Sequence, residues 1–256
     1  MTTLLIVVTG LFGVILALME FGRRVGVRRR HEDPEGSHAG LGAIEGAVFG
    51  LMGLLIAFTF SGAAARFDAR RHLIGDESNA IGTAYLLIDL LPLTEQPALR
   101  EDFRNYLDAR IDYFKNLNSD APAAKAALDK SAALQKKIWD SSVIGCAQVN
   151  FSATTSLVLS SLNAMIDITT TRAVALQTHP PKIIYWGLAV LVIASVLLAG
   201  YSLGEAKTRS WLHLLLFSSI LAISLYVILD LEYPRAGLIR IEAADQVLID
   251  LRNSMK

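Results

Sequence analysis

The stretch that decides the fold runs from Ala39 to Ala65 and reads AGLGAIEGAVFGLMGLLIAFTFSGAAA, with Glu45 as its single charge. At about 1.5 Å per residue, a helix of this length crosses a hydrocarbon core of about 30 Å. The sequence therefore predicts a membrane-spanning helix here.

Two faces are predicted on this helix. Small residues recur every three or four positions, which lets another backbone approach closely; the glycines of this helix-packing face are Gly42, Gly46, Gly50 and Gly53. A second stripe, turned by about 100°, is predicted to line a shared axis; its members are Glu45, Phe49, Met52, Ile56 and Phe60. The alternative is a glycine-rich span buried in a monomeric bundle, with Glu45 near the membrane interface.

Three further apolar runs predict three more spans, at Thr3–Met19, Ile183–Leu203 and Trp211–Leu229. The first run lacks the basic start and the cleavage site of a secretory signal, so we expect an uncleaved anchor. Because the last two runs are separated by a short polar stretch, they predict a hairpin of helices in the membrane.

The long polar region between the second and third spans is predicted to be a soluble helical bundle. Its apolar residues recur at intervals of three and four, with no alternation of period two. The predicted fold is all-α: a polytopic membrane protein with four spans in a two-plus-two order around the bundle. The predicted division is 1–65 (spans 1 and 2), 66–181 (bundle), 182–230 (hairpin) and 231–256 (tail).

The arginines predict an orientation. Five of them lie in the connector Gly22–His38 after the first span, and basic loops beside spans mark the cytoplasmic side. The short loop between the last two spans is also mildly basic. The bundle and the tail are therefore predicted to be extracytoplasmic.

Composition and motifs argue against several function classes. Lys plus Arg and Asp plus Glu both number 24, so no bulk charge attracts nucleic acid. We find no phosphate-binding loop, nucleophile elbow or dinucleotide fingerprint, and we predict no enzymatic activity and no cofactor. The connector His31–His38 carries two histidines and three carboxylates, but its spacing matches no defined metal loop, so no metal site is predicted.

Two polar segments differ from ordinary connectors. Asp76–Tyr85 reads DESNAIGTAY and continues the second span, and its small residues favour a juxtamembrane helix packed tightly on its neighbours over a binding site. Asp230–Gly237 reads DLEYPRAG and follows the fourth span directly, where its turn residues are expected to bring the tail back on the bundle side.

These segments, together with GLLIAFTFSGAAARFDARR at 53–71, resemble the bestrophin-like family of bacterial membrane proteins, and the resemblance covers nearly the whole chain. The resemblance implies a location in a bacterial plasma membrane. It also identifies a set of family-motif residues: Asp76, Glu77, Asn79, Gly82, Tyr85, Asp230, Pro234 and Gly237. A more distant likeness links the chain to bestrophins, pentameric anion channels whose second span lines the pore with bulky apolar side chains. Two features depart from that pattern, because bestrophins keep the helical domain in the cytosol and Glu45 would disfavour anions.

Two functions are therefore carried forward. The first is a homo-oligomeric ion channel, a pentamer by resemblance, whose partners are the lipid bilayer and inorganic ions. The second is a membrane-anchored interaction or sensor module that does not conduct ions. An ionisable residue facing an aqueous axis favours the first, because an anchor gains nothing from Glu45.

Overall fold

The computed structural model describes residues 2–32, 41–149, 151–205, 211–234, 237–239 and 241–255. Within these ranges the chain forms helices and no strand. The α-helices are α1 (Thr2–Glu32), α2 (Leu41–Leu86), α3 (Gln96–Asn116), α4 (Ala121–Ala147), α5 (Ser152–Gln177), α6 (Lys182–Glu205), α7 (Trp211–Glu232) and α8 (Glu242–Ser254), with a 3₁₀ helix at Leu87–Leu90.

Four stretches of helix are long and apolar enough to cross a membrane: Ile6–Arg29, Gly42–Leu90, Ser152–Gly204 and Trp211–Glu232. They lie on α1, on α2 with the 3₁₀ helix, on α5 with α6, and on α7, and each contains most or all of one of the four apolar runs of the sequence. The predicted fold class is confirmed: the chain is an all-α polytopic membrane protein.

Helix α1 extends past the predicted first span and into the arginine-rich connector, which is helical as far as Glu32. Glu20 accepts hydrogen bonds from Arg23 at 2.7 Å and from Arg24 at 3.1 Å. Opposite charges three and four residues apart stabilise a helix, so the charged segment continues α1 and does not end it. Residues 33–38 of the connector lie outside the described residues, and so do most of its candidate metal ligands.

Helix α2 is the longest element, with 46 residues from Leu41 to Leu86. It carries the second span, then the arginines that follow it, then the whole DESNAIGTAY segment. The predicted juxtamembrane helix is therefore part of the same continuous helix.

The chain divides into two compact units. The first, here called the membrane unit, comprises Met1–Phe67 and His179–Ile239; the second, called the helical unit, comprises Asp68–Thr178 and Arg240–Lys256. Helix α8 thus groups with the bundle. The four-part division predicted from the sequence stays a prediction.

In the membrane unit, α1 packs on α6 and α7. The apolar core of these helices takes Ile15 and Met19 from α1, Val192 and Val196 from α6, and Leu214 from α7.

In the helical unit, α3 packs on α4 and α8, and α4 packs on α5. Phe103, Tyr106 and Leu107 of α3 are fully buried. Asp120 caps the start of α4 by accepting a hydrogen bond from the Ala123 backbone N–H at 3.0 Å, which satisfies one of the donors left free at a helix start. Cys146, near the end of α4, is buried, and this burial raises the pKa of its thiol.

Candidate functional site

The glycine face of α2 is open. A Cβ atom added at Gly42, Gly46, Gly50 or Gly53 would meet nothing within 4 Å. The helix therefore presents a strip of nearly bare backbone that no part of the described chain covers. Such a strip can be approached closely by a second helix.

The second stripe of α2 lies against the chain's own helices. Met52 is 8% exposed and belongs to the core of the membrane unit, where Phe49 and Ile56 also pack. The Phe49 ring meets the edge of Phe217 of α7 at 6.4 Å between centroids. Phe49, Met52 and Ile56 therefore contact helices of the same subunit, and the pore lining predicted for this stripe stays a prediction. Phe60, the last member of the stripe, is 44% exposed.

Glu45, the intramembrane charge, is half-buried against α6. The Ser202 hydroxyl lies 2.8 Å from each of its carboxylate oxygens, so it can donate to either of them. Ser202 also lies 3.2 Å from the Leu198 carbonyl oxygen, the usual partner of a helical serine. Ser202 was missed by sequence reasoning, since serines in spans are common and nothing local links residues so far apart.

The close-packed glycines of the membrane unit lie elsewhere, on α1 and α6. A Cβ at Gly22 would overlap the Leu197 backbone, and one at Gly200 would overlap the backbone of Met19. Gly26 and Gly204 are equally tight against Tyr201 and Arg23. Gly22 and Gly26 of α1 are four residues apart, and so are Gly200 and Gly204 of α6. This spacing indicates close helix packing, and sequence analysis could have used it.

The motif residues Asp230 and Gly237 act together. The Asp230 carboxylate accepts hydrogen bonds from the backbone N–H groups of Leu238, at 3.0 and 3.1 Å, and Ile239, at 2.9 Å. A Cβ at Gly237 would overlap this carboxylate. Glycine is therefore needed for the chain to fold back over Asp230. Pro234 is buried within the same segment.

A second carboxylate at the end of α7, that of Glu232, is fully buried and contacts an arginine and a histidine side chain. Arg66 of α2 donates to it at 2.7 Å, and Nδ1 of His179 lies 2.7 Å from its other oxygen. The His179 ring also lies against Tyr233, with 5.1 Å between ring centroids. Glu232 and Arg66 both occur in the stretches that carry the family resemblance, yet neither was singled out.

The Asp76–Tyr85 segment contributes to the core of the helical unit. Glu77 is fully buried and accepts from Arg110 at 2.6 Å and from Arg172, whose second nitrogen lies 3.7 Å from Asp245 of α8. Asp76 and Asn79 are not part of this core. A Cβ at Gly82 would touch Leu251 of α8 at 3.4 Å, so the small residue allows α8 to pack close to α2.

Tyr85 is also buried, where it meets the Phe103 ring at 5.8 Å and carries Arg100 over its face. Glu77, Gly82 and Tyr85 therefore all pack within the helical unit.

Around Glu77, burial and attraction to the carboxylate shift the pKa values of the two arginines in opposite directions. Burial lowers the pKa of Arg172, because a charged guanidinium loses solvation. At Arg110 burial acts in the same sense, but attraction and hydrogen bonding to the Glu77 carboxylate, together with the contributions of Tyr106 and Tyr113, outweigh it and the pKa is raised. The pKa of the Tyr106 hydroxyl is raised, chiefly by burial. The Phe114 ring lies under both guanidiniums, at 3.8 Å from Arg172 and 5.0 Å from Arg110. This is a core ionic cluster with its charges matched.

Among the described residues, no group of three or more His, Cys, Asp or Glu side chains is arranged to hold a metal ion.

Fold and contacts together define a class: a multi-pass α-helical membrane protein in which the helix of the second span continues to Leu86. A family model, the bestrophin-like domain, matches residues 9–245. The chain belongs to this bestrophin-like family, as its motifs predicted. No curated protein and no solved structure gives a significant match.

Proposed function

We propose that the protein is a homo-oligomeric ion channel in which the second spans surround a shared axis. The observation that carries the proposal is the open glycine face of α2, at Gly42, Gly46, Gly50 and Gly53. A face without side chains gains little from lipid and much from a second backbone, so a copy of the same helix is the occupant it suits.

The intramembrane carboxylate supports conduction over simple anchoring. An ionisable residue within a span is costly and commonly marks an ion pathway. The proposed lining is the whole stripe, of which Phe60 is exposed and Glu45 half-buried, while the other three members also contact helices of their own subunit; its residues are Glu45, Phe49, Met52, Ile56 and Phe60. Ionised Glu45 side chains around an axis would attract cations and repel anions.

The test uses the full chain, purified in detergent and then reconstituted in planar bilayers. We expect a particle several times the 27.8 kDa mass of one chain, and a current that depends on it. Under a salt gradient, Glu45→Gln should shift the reversal potential towards the anion value. A stable monomer would refute the proposal.

An oligomer that carries no current would favour the second candidate, a membrane-anchored interaction module. Exposed apolar side chains on the helical unit favour that candidate, because a protein partner could cover them. Leu93 is 82% exposed and Phe151 is 69% exposed.

We further propose that the protein lies in a bacterial plasma membrane with its helical unit on the extracytoplasmic side. The support is the basic connector after the first span. A topology reporter inserted at Asn118, in the turn after α3, should read as extracytoplasmic. A cytoplasmic signal would reverse the orientation and match the bestrophin arrangement.

A further inference from the structure

Helix α1 has a buried side and an exposed side. Ile15 and Met19 lie in the core of the membrane unit, and Gly22 and Gly26 lie against the backbone of α6. Exposed residues recur on the opposite side at intervals of three and four, which places them on one face of the helix. This exposed face of α1 consists of Val14, Ala17, Phe21, Arg24, Val25 and Arg28.

The exposed face changes from apolar to basic within about one helical turn. Val14 and Phe21 are 60% and 61% exposed, and the Arg24 side chain is 70% exposed. At about 1.5 Å per residue, Arg24 lies about 5 Å beyond Phe21 along the helix axis, and Arg28 about 10 Å beyond it. The headgroup layer on each side of a hydrocarbon core is about 5–7 Å thick. The face therefore fits the boundary between acyl chains and headgroups.

The basic part of α1 carries an excess of positive charge. Residues 23–30 include five arginines and no acidic residue. Glu20, one turn earlier, accepts two hydrogen bonds from Arg23, at 2.7 and 2.8 Å, and one from Arg24 at 3.1 Å. A single carboxylate neutralises one guanidinium, so the segment keeps a net positive charge. The next acidic residues of the chain come after this segment, at Glu32, Asp33 and Glu35.

We propose that the exposed face of α1 binds anionic phospholipids, with Arg24 and Arg28 on the headgroup phosphates and Phe21 and Val25 against the acyl chains. A guanidinium can donate two parallel N–H bonds to one phosphate. Each arginine near an anionic membrane surface strengthens binding by about fivefold. The proposal depends on α1 lying in a membrane, and not on conduction or on which side the arginines face, so it can fail while the channel proposal stands.

The experiment uses the full chain, purified in an uncharged detergent, and counts bound lipids by native mass spectrometry. Phosphatidylglycerol and phosphatidylcholine are titrated separately, because both contain a phosphate and only the first has a net negative charge. In Arg24→Gln/Arg28→Gln, phosphatidylglycerol binding should weaken by about tenfold and phosphatidylcholine binding should stay as in the parent. Equal phosphatidylglycerol binding by the parent and this variant would overturn the proposal.

Two further variants make the comparison specific. Lys125→Gln/Lys130→Gln removes the same charge from two exposed lysines of α4, in the helical unit, and should bind phosphatidylglycerol like the parent. Equal losses in the arginine and lysine variants would overturn the site. Arg28→Gln alone leaves the contact between Glu20 and Arg24 in place and should weaken binding by about fivefold, so it decides if the double variant does not fold.

Two other occupants of this face are distinguished by the same samples. Inorganic phosphate, added at constant ionic strength, should not displace phosphatidylglycerol, because it has no acyl chain to contact Phe21 and Val25. Displacement would assign the site to phosphate in solution and overturn the proposal. A smaller particle mass of Arg24→Gln/Arg28→Gln, with lipid binding unchanged, would place a second copy of the chain on this face and also overturn it.

Discussion

The membrane unit and the helical unit reach tight packing by different means. In the membrane unit, α1 and α6 approach through glycines whose neighbours are backbone atoms. In the helical unit, large side chains surround a buried group of charges centred on Glu77. In lipid, an apolar side chain has about the same free energy outside a helix bundle as inside it. Association of helices in a membrane therefore depends on how closely their backbones can pack. In water, apolar burial brings helices together and a matched ionic group can fix which helices meet.

The largest effect that this contrast predicts is at Gly200. Gly200→Leu would force its side chain into the backbone of Met19, and we expect no folded membrane unit. The measurement is the yield of monodisperse protein in detergent. Gly187→Leu is the matched control in the same helix, because a Cβ there meets nothing within 4 Å. Equal yields from both variants would contradict the close α1–α6 contact.

The helical unit should respond most strongly at Glu77. Glu77→Ala leaves Arg110 and Arg172 buried without their shared carboxylate, and breaking a buried ion pair costs about 3–5 kcal/mol. Denaturant unfolding can be followed by Trp139 of α4 in a Trp186→Phe/Trp211→Phe background. Asp76→Ala, one residue away and outside the buried cluster, should show no measurable change. If both variants lose similar stability, the ionic group does not hold the unit together.

A smaller effect on stability, but a large one on assembly, is expected on α2. Gly50→Leu adds a side chain into open space, so the subunit should fold as before, while close approach of a second copy is blocked. Light scattering of the purified protein should show smaller particles than the parent gives. Gly187→Leu is again the control and should keep the parent mass. An unchanged mass for Gly50→Leu would show that this face packs against no other subunit.

The smallest effect concerns Tyr106. Burial raises the pKa of its hydroxyl above the value in the unfolded chain, about 10, so the folded state keeps a proton that the unfolded state loses. Stability is then fully present below about pH 10 and falls as the pH rises further, by about 1 kcal/mol between pH 10 and 11. The measurement is the difference between the parent and Tyr106→Phe over this range. A parallel pH dependence of the two proteins would contradict it.

The sequence predicts the class of fold well because lipid imposes simple rules on length and composition. The four apolar runs, the helical bundle and the family resemblance all follow from local patterns. What a span packs against is not a local property. Met52 and Gly50 lie two residues apart, and their surroundings are opposite: the first is in the core, the second beside open space.

The charged contacts were the hardest to foresee. Arg66 and Glu232 are 166 positions apart, and Glu77 and Arg172 are 95 apart. Periodicity relates residues within one helix and carries no information about partners at such separations. Asp230 and Gly237 could be selected as motif residues, but their joint role required the position of Gly237 relative to the Asp230 carboxylate.

Because Cys146 is buried, the rate at which its thiol is chemically modified reports how often the end of α4 opens. Cys146 is the only cysteine in the chain, and alkylating reagents attack the thiolate, which burial and a raised pKa both suppress. The thiol is then modified only when the end of α4 opens locally, so the modification rate depends on the frequency of this opening. Alkylation of Cys146 adds one mass increment, which can be followed over time in the protein without any substitution. The rates in detergent, in lipid and in the presence of a ligand or ion would show how often the helical unit opens locally under each condition.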